Sequence, residues 1–379
     1  MKTLSDFNFT GKTVLVRADL NSDFAESKIL ISERIKASAI TINELKDANA
    51  KVVVIAHQGR KGDDDFTSLR QHSIFLNKFT KIKFIEDTIG PKAKSAIENL
   101  EEGEAILLEN IRGIDDELRP EKEENNEIVK FFIGLIDIYV NDAFSVCHRE
   151  QASITLLPKY IQSCAGRLLE KEVDALEKIN IEDCLYILGG AKPEDNIKLL
   201  KGNKVLACGL FGQLCLIAKG TDLGAQSEYL KKTIKDFNKI VKIVKSKLKN
   251  VEMPIDFAVK KNGKREELLL GEFPSEYEIF DIGEQTQKRF INEIKKANAI
   301  YMKGPAGYCA DPQFSKGTIA ILKAVSESKA FSVIGGGHLS DAIEMSKIPK
   351  SKFGHISLSG GALLNYIAGE KLPGLEALK

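Results

Sequence analysis

No stretch of the 379 residues strings together enough apolar side chains to cross a membrane, a span that takes roughly 20. The polar start Met-Lys-Thr-Leu-Ser-Asp-Phe-Asn does not read as a signal peptide. Excess charge is missing too: the net charge is +1 and the pI about 7.5, so no global field draws the chain to nucleic acid or anionic lipid. Any anion site must be local, and the expected partners are small molecules, with no nucleic acid and no membrane. The cysteines (Cys147, Cys164, Cys184, Cys208, Cys215, Cys309) form no CxxC pair and no metal-finger spacing. A chain this long needs no disulfide staples, so reduced thiols in a cytoplasm are expected. No HxH or HExxH spacing accompanies the histidines, which argues against a transition-metal site. Gly11-Lys12-Thr13 is not a Walker A loop, because Asp6 stands where the first glycine belongs and a strand follows rather than precedes it. No GxGxxG follows a strand with an acidic residue about 20 further on, which sets aside a dinucleotide-binding dehydrogenase. Short-period repeats and low-complexity tracts are also lacking.

What is present is 43% apolar and 29% charged sequence, long enough for two domains. The first third repeats one arrangement: a β-rich run, polar residues at its carboxyl end, then a helix-like segment. Thr13 to Val16 leads to Arg17, Asp19 and Asn21; Val52 to Ala56 leads to His57, Gln58, Gly59 and Arg60. Ala105 to Leu108 leads to Glu109, Asn110 and Arg112; Ile138 to Val140 leads to Asn141, Asp142, His148 and Arg149. Ligands of open α/β sheets bind outside the carboxyl ends of the strands, so these clusters are expected on one edge of a parallel sheet. Arg60, Arg112 and Arg149, with Arg34 opening a helical segment, would present several guanidinium forks to a small, highly anionic ligand. Taken singly, each arginine could equally be a surface ion pair.

Ser163 to Ile179, with Leu168, Leu169, Val173, Leu176 and Ile179 at helical spacing, reads as a helix joining two halves. Beyond it the turns become glycine-bearing: Leu-Gly-Gly-Ala-Lys (188–192), Gly209 and Gly212 after Val205 to Cys208, Ile255 to Val259, Phe280-Asp281-Ile282-Gly283, Gly304-Pro305-Ala306-Gly307 and Gly335-Gly336-Gly337-His338. These strands predict a second α/β sheet. Glycine turns expose backbone N–H groups that form anion nests, and Lys192 adds a mobile cation, so this half suits a polyphosphate such as a nucleotide's. The alternative for each turn is that its glycine serves only to turn the chain. Ser227 to Lys249, with Leu230, Ile234, Phe237, Val241, Val244 and Leu248 on one face, predicts a helix with a solvated lysine face and no ligand role.

These motifs, in this order, resemble the phosphoglycerate kinase family over nearly the whole chain. The stretches that carry the resemblance are Val-Arg-Ala-Asp-Leu-Asn (16–21), Arg34-Ile35-Lys36-Ala37, His57-Gln58-Gly59-Arg60, Leu-Glu-Asn-Ile-Arg (108–112), Tyr-Val-Asn-Asp-Ala-Phe (139–144), His148-Arg149, Leu-Gly-Gly-Ala-Lys (188–192), Asp281-Ile282-Gly283, Gly304-Pro305-Ala306-Gly307, Gly335-Gly336-Gly337, His355-Ile356-Ser357 and Leu372-Pro373-Gly374.

The resemblance implies an α/β fold of two doubly wound domains, each with a mostly parallel sheet, joined by a helix and hinge around a central cleft. The expected domains are 1–160, with 357–379 packing back on it, and 161–356, including the joining helix 163–179. It implies phosphoryl transfer between 1,3-bisphosphoglycerate and ADP, giving 3-phosphoglycerate and ATP, with Mg2+ held through the nucleotide phosphates and no confident protein metal ligand. Substrate residues carried over are Asp19, Leu20, Asn21, Arg34, His57, Gln58, Gly59, Arg60, Arg112 and Arg149. Nucleotide residues are Gly190, Ala191, Lys192, Gly209, Gly283, Pro305, Ala310, Asp311, Gly335, Gly336, Gly337, His338 and Leu339. Arg34 and Lys192 are the implied catalytic cations, closure about the helix and residues 355–362 is implied, and a monomer or small homo-oligomer is expected. Departures from the family pattern are Asn196 for a lysine, Lys303 for an asparagine, Ala310 for a glutamate, His338 for an aspartate and Leu358 for a threonine. His338 and Ala-Lys-Gly at 218–220 resemble archaeal-type members. A non-catalytic phospho-ligand-binding paralogue is the alternative.

Overall fold

The described residues of the computed structural model are 1–26 and 28–379; the side chains of Gly337 and His338, both expected at the nucleotide site, lie outside them. The chain divides into two compact units, Met1–Asp174 with Gly361–Lys379, and Ala175–Gly360.

In the first unit Thr13–Ala18, Lys51–Ile55, Lys83–Phe84, Ala105–Leu107, Ile138–Asp142 and Gln162–Ala165 form one sheet whose pairings are all parallel. Such strands are covered on both faces and read as continuous apolar runs, which is why Val14 to Val16 and Val52 to Ile55 are fully buried. Helix Glu33–Asp47 lays Ile35, Ala39, Ile42 and Leu45 on the sheet, an apolar stripe at helical period. Thr13–Ala18 and Ile138–Asp142 are neighbours whose onward connections leave in opposite directions, the switch point at which α/β sheets bind ligands.

The expected boundary at residue 160 moves. Gln162–Ala165 is a strand paired to Ile138–Asp142, not the start of a helix, and the helix runs Arg167–Lys178. In its first turn the Arg167 amide donates to Thr41 Oγ1 at 2.9 Å, and those of Leu168 and Leu169 donate to the buried carboxylate of Asp142 at 2.8 and 3.3 Å. A Cβ at Gly166 would stand 2.3 Å from that carboxylate, so the turn between strand and helix requires glycine. The returning segment begins at Gly361 rather than 357, because His355–Ser357 pairs as a strand of the other unit. Its Gly374 amide donates to the Cys147 carbonyl at 2.9 Å.

In the second unit a parallel sheet takes the order Val251–Glu252, Val205–Ala207, Cys184–Leu188, Ala299–Lys303, Phe331–Gly335, His355–Ser357. Its switch point lies between Cys184–Leu188 and Ala299–Lys303. Two expectations are corrected. Asp256–Lys261 and Ile279–Ile282 belong to a separate three-stranded antiparallel sheet with Lys264–Leu269. The lysine-rich segment is two helices, Ala225–Thr233 and Phe237–Lys245, broken where Asp236 turns left-handed at φ 54°. Among the described residues no helix is long and apolar enough to cross a membrane.

Candidate functional sites

In the first unit the strand ends gather cations around Arg17, whose side chain is fully buried. Its Nε donates to Ser153 Oγ at 2.9 Å, Nη1 to the Ala18 carbonyl at 2.9 Å, and Nη2 lies 3.1 Å from His57 Nδ1. A guanidinium can only donate, so Nδ1 accepts and the His57 proton sits on Nε2. Burial, then the charges of Arg17, Arg112, Arg34 and Arg149, hold His57 well below the ordinary imidazole range. It is a neutral hydrogen-bond donor at physiological pH. The counter-charge to Arg17 is Glu117, also fully buried, which accepts from the Ser153 amide at 2.9 Å and hydroxyl at 2.7 Å.

Arg112 is buried and donates through Nη1 to the Gly59 carbonyl, while its buried Nε has no hydrogen-bond partner among the described residues. Burial, then the charges of Arg17 and Arg149, pull it down to about 10, so it remains a cation at neutral pH. Arg149 is half-buried and is likewise lowered by burial and by the exposed Arg60. Mutual lowering of this kind means that several like charges share one region. An anion would relieve it.

Arg34 donates to the Asn21 carbonyl at 3.0 Å and lies 3.6 Å from the buried Asp19 carboxylate. Asn21 in turn accepts the Gly59 amide at 2.9 Å. Gly59 has φ +64°, and a Cβ there would lie 2.5 Å from Asp65, so only glycine fits. Two expected ligand side chains are placed otherwise. Leu20 lies in the apolar core. The Gln58 amide bridges Ser22, Asp65 and His72 and positions the loop from within. The sequence places Arg17 at the ligand edge but not at its buried centre, and it does not point to Ser153 or Glu117; the available signal is an arginine inside an apolar strand, Val-Leu-Val-Arg-Ala.

In the second unit three glycine loops interlock at the switch point. The amides of Gly189, Gly190 and Gly209 donate to the carbonyls of Lys303, Pro305 and Ala306 at 2.7, 2.9 and 3.1 Å. A Cβ on Gly304 would stand 2.7 Å from the Gly189 backbone. The expectation that the amides of Gly190 and Gly209 form an anion nest is thus corrected: backbone carbonyls already hold them. What faces outward is Ala191 and Lys192, both exposed. Gly336, at φ +112° with open space where a Cβ would be, leads into helix Gly337–Ser346 from the buried strand end at Gly335.

Other expected nucleotide positions sort differently. Gly283 caps helix Glu284–Ile294 against the Asp256 carboxylate, 2.3 Å from where its Cβ would be, and Leu339 is a core side chain. Asp311 is engaged, accepting the Gln313 amide at 3.1 Å and the Lys260 ammonium at 3.0 Å, while Ala310 is exposed beside it. The two departures Asn196 and Lys303 meet: the Lys303 ammonium donates to Asn196 Oδ1 at 3.1 Å. Among the described residues no group of three or more His, Cys, Asp and Glu side chains could hold a metal ion.

Compared with known proteins, residues 4–370 match the family model described as phosphoglycerate kinase. The chain is 38% identical to the phosphoglycerate kinase of Methanopyrus kandleri, covering 100% of this chain and 97% of that one. It is 40% identical to that of Sulfurisphaera tokodaii, covering 99% and 95%. Its fold is similar to the crystal structure of phosphoglycerate kinase from Pyrococcus horikoshii OT3, with TM-score 0.92, 36% identity and 100% and 98% coverage. For the structure from Coxiella burnetii the TM-score is 0.80 at 29% identity, over 99% and 98%.

Proposed function

The chain belongs to the phosphoglycerate kinase family and is a phosphotransferase of glycolysis, and from that premise we propose how its own residues divide the work. The reaction is reversible phosphoryl transfer between 1,3-bisphosphoglycerate and ADP, giving 3-phosphoglycerate and ATP. The first unit takes the glycerate and the second the nucleotide. The observation that carries this reading is the cluster of Arg17, Arg60, Arg112, Arg149 and neutral His57 along one sheet edge beside its switch point, which suits a ligand bearing both carboxylate and phosphate. Nothing in the fold or the comparisons favours a non-catalytic paralogue.

In the forward direction a β-phosphate oxygen of ADP attacks the phosphorus of the acyl phosphate, and the P–O bond to the carboxyl group breaks. The leaving carboxylate is a stable anion at neutral pH, so neither a general base nor a covalent enzyme intermediate is needed. The chain's task is positioning and charge neutralisation. Arg34, pre-aimed by Asp19 and Asn21, meets the phosphoryl group in transfer, and His57 Nε2–H, Arg60, Arg112 and Arg149 hold the carboxylate and the other phosphate. Lys192 meets the terminal phosphate of the nucleotide. Magnesium, when bound, would shield phosphate charge; with no group of three or more His, Cys, Asp and Glu side chains among the described residues to hold it, its ligands would be phosphate oxygens and water. The free thiols of all six cysteines support residence in a reducing cytoplasm. A coupled assay of ATP formation from 1,3-bisphosphoglycerate, ADP and Mg2+ tests the reading, and the absence of turnover above background would refute it.

A further inference from the structure

Ser153, the partner of Arg17 Nε, is fully buried in a π-helical turn, Ala152–Leu156, that begins soon after Arg149. Turns of this width are rare and occur mostly at functional sites. Every polar atom of Ser153 is engaged. Its amide and hydroxyl donate to the two carboxylate oxygens of Glu117 at 2.9 and 2.7 Å, its Oγ accepts Arg17 Nε at 2.9 Å, and its carbonyl accepts the Tyr139 hydroxyl at 2.5 Å. Glu117 is fully buried in the helical turn Asp115–Leu118, which follows Arg112. One carboxylate therefore ties the segment bearing Arg112 to the segment bearing Arg149, and one hydroxyl links both to the strand bearing Arg17.

The directions of these bonds decide what the group does. A carboxylate only accepts and a guanidinium only donates, so the single hydroxyl hydrogen of Ser153 goes to Glu117 and a lone pair of Oγ faces Arg17. Arg17 is thereby held with Nη2 at 3.1 Å from His57 Nδ1, and the His57 proton stays on Nε2. We infer that Glu117 is a positioning residue of the glycerate site: acting through Ser153 and Arg17, it selects the His57 tautomer and sets the Arg112 and Arg149 segments relative to each other. It needs no contact with substrate to do so. This rests on the reading of the first unit as the glycerate half. Glutamine has the shape of glutamate but the wrong polarity here: to accept the Ser153 amide it must turn its NH2 toward Oγ, and the hydroxyl hydrogen then loses its acceptor.

The test joins nitrogen NMR of isotope-labelled histidine, with His57→Gln to assign the resonances, to steady-state kinetics of the full chain. Glu117→Gln and Ser153→Ala are each expected to mix the two His57 tautomers, where the wild type holds one. Each is also expected to raise KM for 3-phosphoglycerate roughly ten- to a hundredfold, with KM for ATP unchanged and kcat little altered. Ser153→Ala keeps the bond from the residue 153 amide to Glu117 and removes only the hydroxyl, so it carries the same test where Glu117→Gln does not fold. A His57 proton that stays wholly on Nε2 in either folded variant would overturn the proposal. So would a fall in kcat with both KM values unchanged, which marks loss of folded protein and not of positioning. The tautomer is read in the free protein, so a failed turnover assay refutes the kinase reading and leaves the Glu117 relay to be decided on its own.

Discussion

Replacing Arg17 by methionine tests whether the first unit's site is built around a buried charge or merely contains one. The substitution keeps much of the side-chain volume and removes three donors, to Ser153, Ala18 and His57. Each abandoned buried acceptor costs about 1–3 kcal/mol. Glu117 then stays buried without its counter-charge and is driven further toward its neutral form, having already been raised by burial against the pull of Arg17. Relief of repulsion on Arg112 and His57 offsets part of the loss. Arg17 and Glu117 meet through Ser153 Oγ, so the net cost comes mainly from the abandoned acceptors and is expected at about 3 kcal/mol, a large share of the about 5–15 kcal/mol of a whole domain. The chain has no tryptophan, and two units need not unfold together, so the readout is hydrogen exchange of the Thr13–Ala18 amides. Glu117→Gln and the double variant complete a cycle. The double variant should be more stable than the sum of the single losses predicts by at least about 1 kcal/mol. Additive losses, or an Arg17→Met cost below about 1 kcal/mol, would show that the pair is not coupled and that His57 is oriented by something else.

Three further outcomes are expected. Arg34→Ala and Lys192→Ala should each lower kcat by roughly a hundred- to a thousandfold with unchanged circular dichroism, and near-normal turnover in either would remove that residue from the mechanism. Burial pushes His72 down to about 4, with the Leu20 backbone opposing. The folded state therefore binds fewer protons than the unfolded one, whose histidine titrates near 6.5. This group's contribution is intact above about pH 6.5 and falls by about 3 kcal/mol as pH drops to about 4. His72→Gln should remove that part of the acid slope, seen as the wild-type-minus-variant difference in unfolding free energy; a pH-independent difference would contradict it. The carboxyl of Asp142, raised to about 7, acts in the opposite sense, so only the difference is diagnostic. Gly304→Ala forces a Cβ to 2.7 Å from the Gly189 backbone at φ +73° and should destabilise the second unit by about 3 kcal/mol, read by hydrogen exchange of Ala299–Lys303. Wild-type protection there would mean the loops yield freely.

The parallel strands were legible because strands buried on both faces must be apolar throughout, and the ligand edge followed from the polar residues after them. Other elements were hidden for physical reasons. Asp256–Lys261 begins with the apolar run Phe-Ala-Val but continues into exposed or half-exposed lysines, the mark of a strand that leaves the core, and nothing in six residues says which sheet it joins. The helical periodicity of Leu230, Ile234, Val241 and Val244 runs on across residues 234–236, so the break, where Ile234 is extended and Asp236 left-handed, leaves no trace in the pattern. At the site, motif membership did not separate residues that face a ligand from residues that hold those in place. Gln58 and Leu20 stand inside recognisable motifs yet are spent on the loop and the core. Glu117, in the solvated-looking Asp-Asp-Glu-Leu-Arg, is a fully buried counter-charge.

The two units solve the anion problem by different means, and the difference follows from arginine and lysine chemistry. In the first, guanidinium forks can bond to the protein in several fixed directions at once, so Arg17 and Arg112 are held by carbonyls, a hydroxyl and a histidine. Their charge is pre-organised, and its repulsion is already part of the folded state. In the second, the glycine amides are taken by carbonyls and the cations are lysines: Lys192 is exposed, and Lys303 is held by the Asn196 amide and the Asp195 carboxylate. A lysine head on a flexible stem is a mobile point charge, able to follow a phosphate as it arrives and departs. On the proposed reading, a pre-organised pocket suits the glycerate, whose carboxylate and phosphate must be told apart by geometry. On the same reading, the mobile ammonium of Lys192 suits a polyphosphate chain whose terminal group is gained or lost in each turnover.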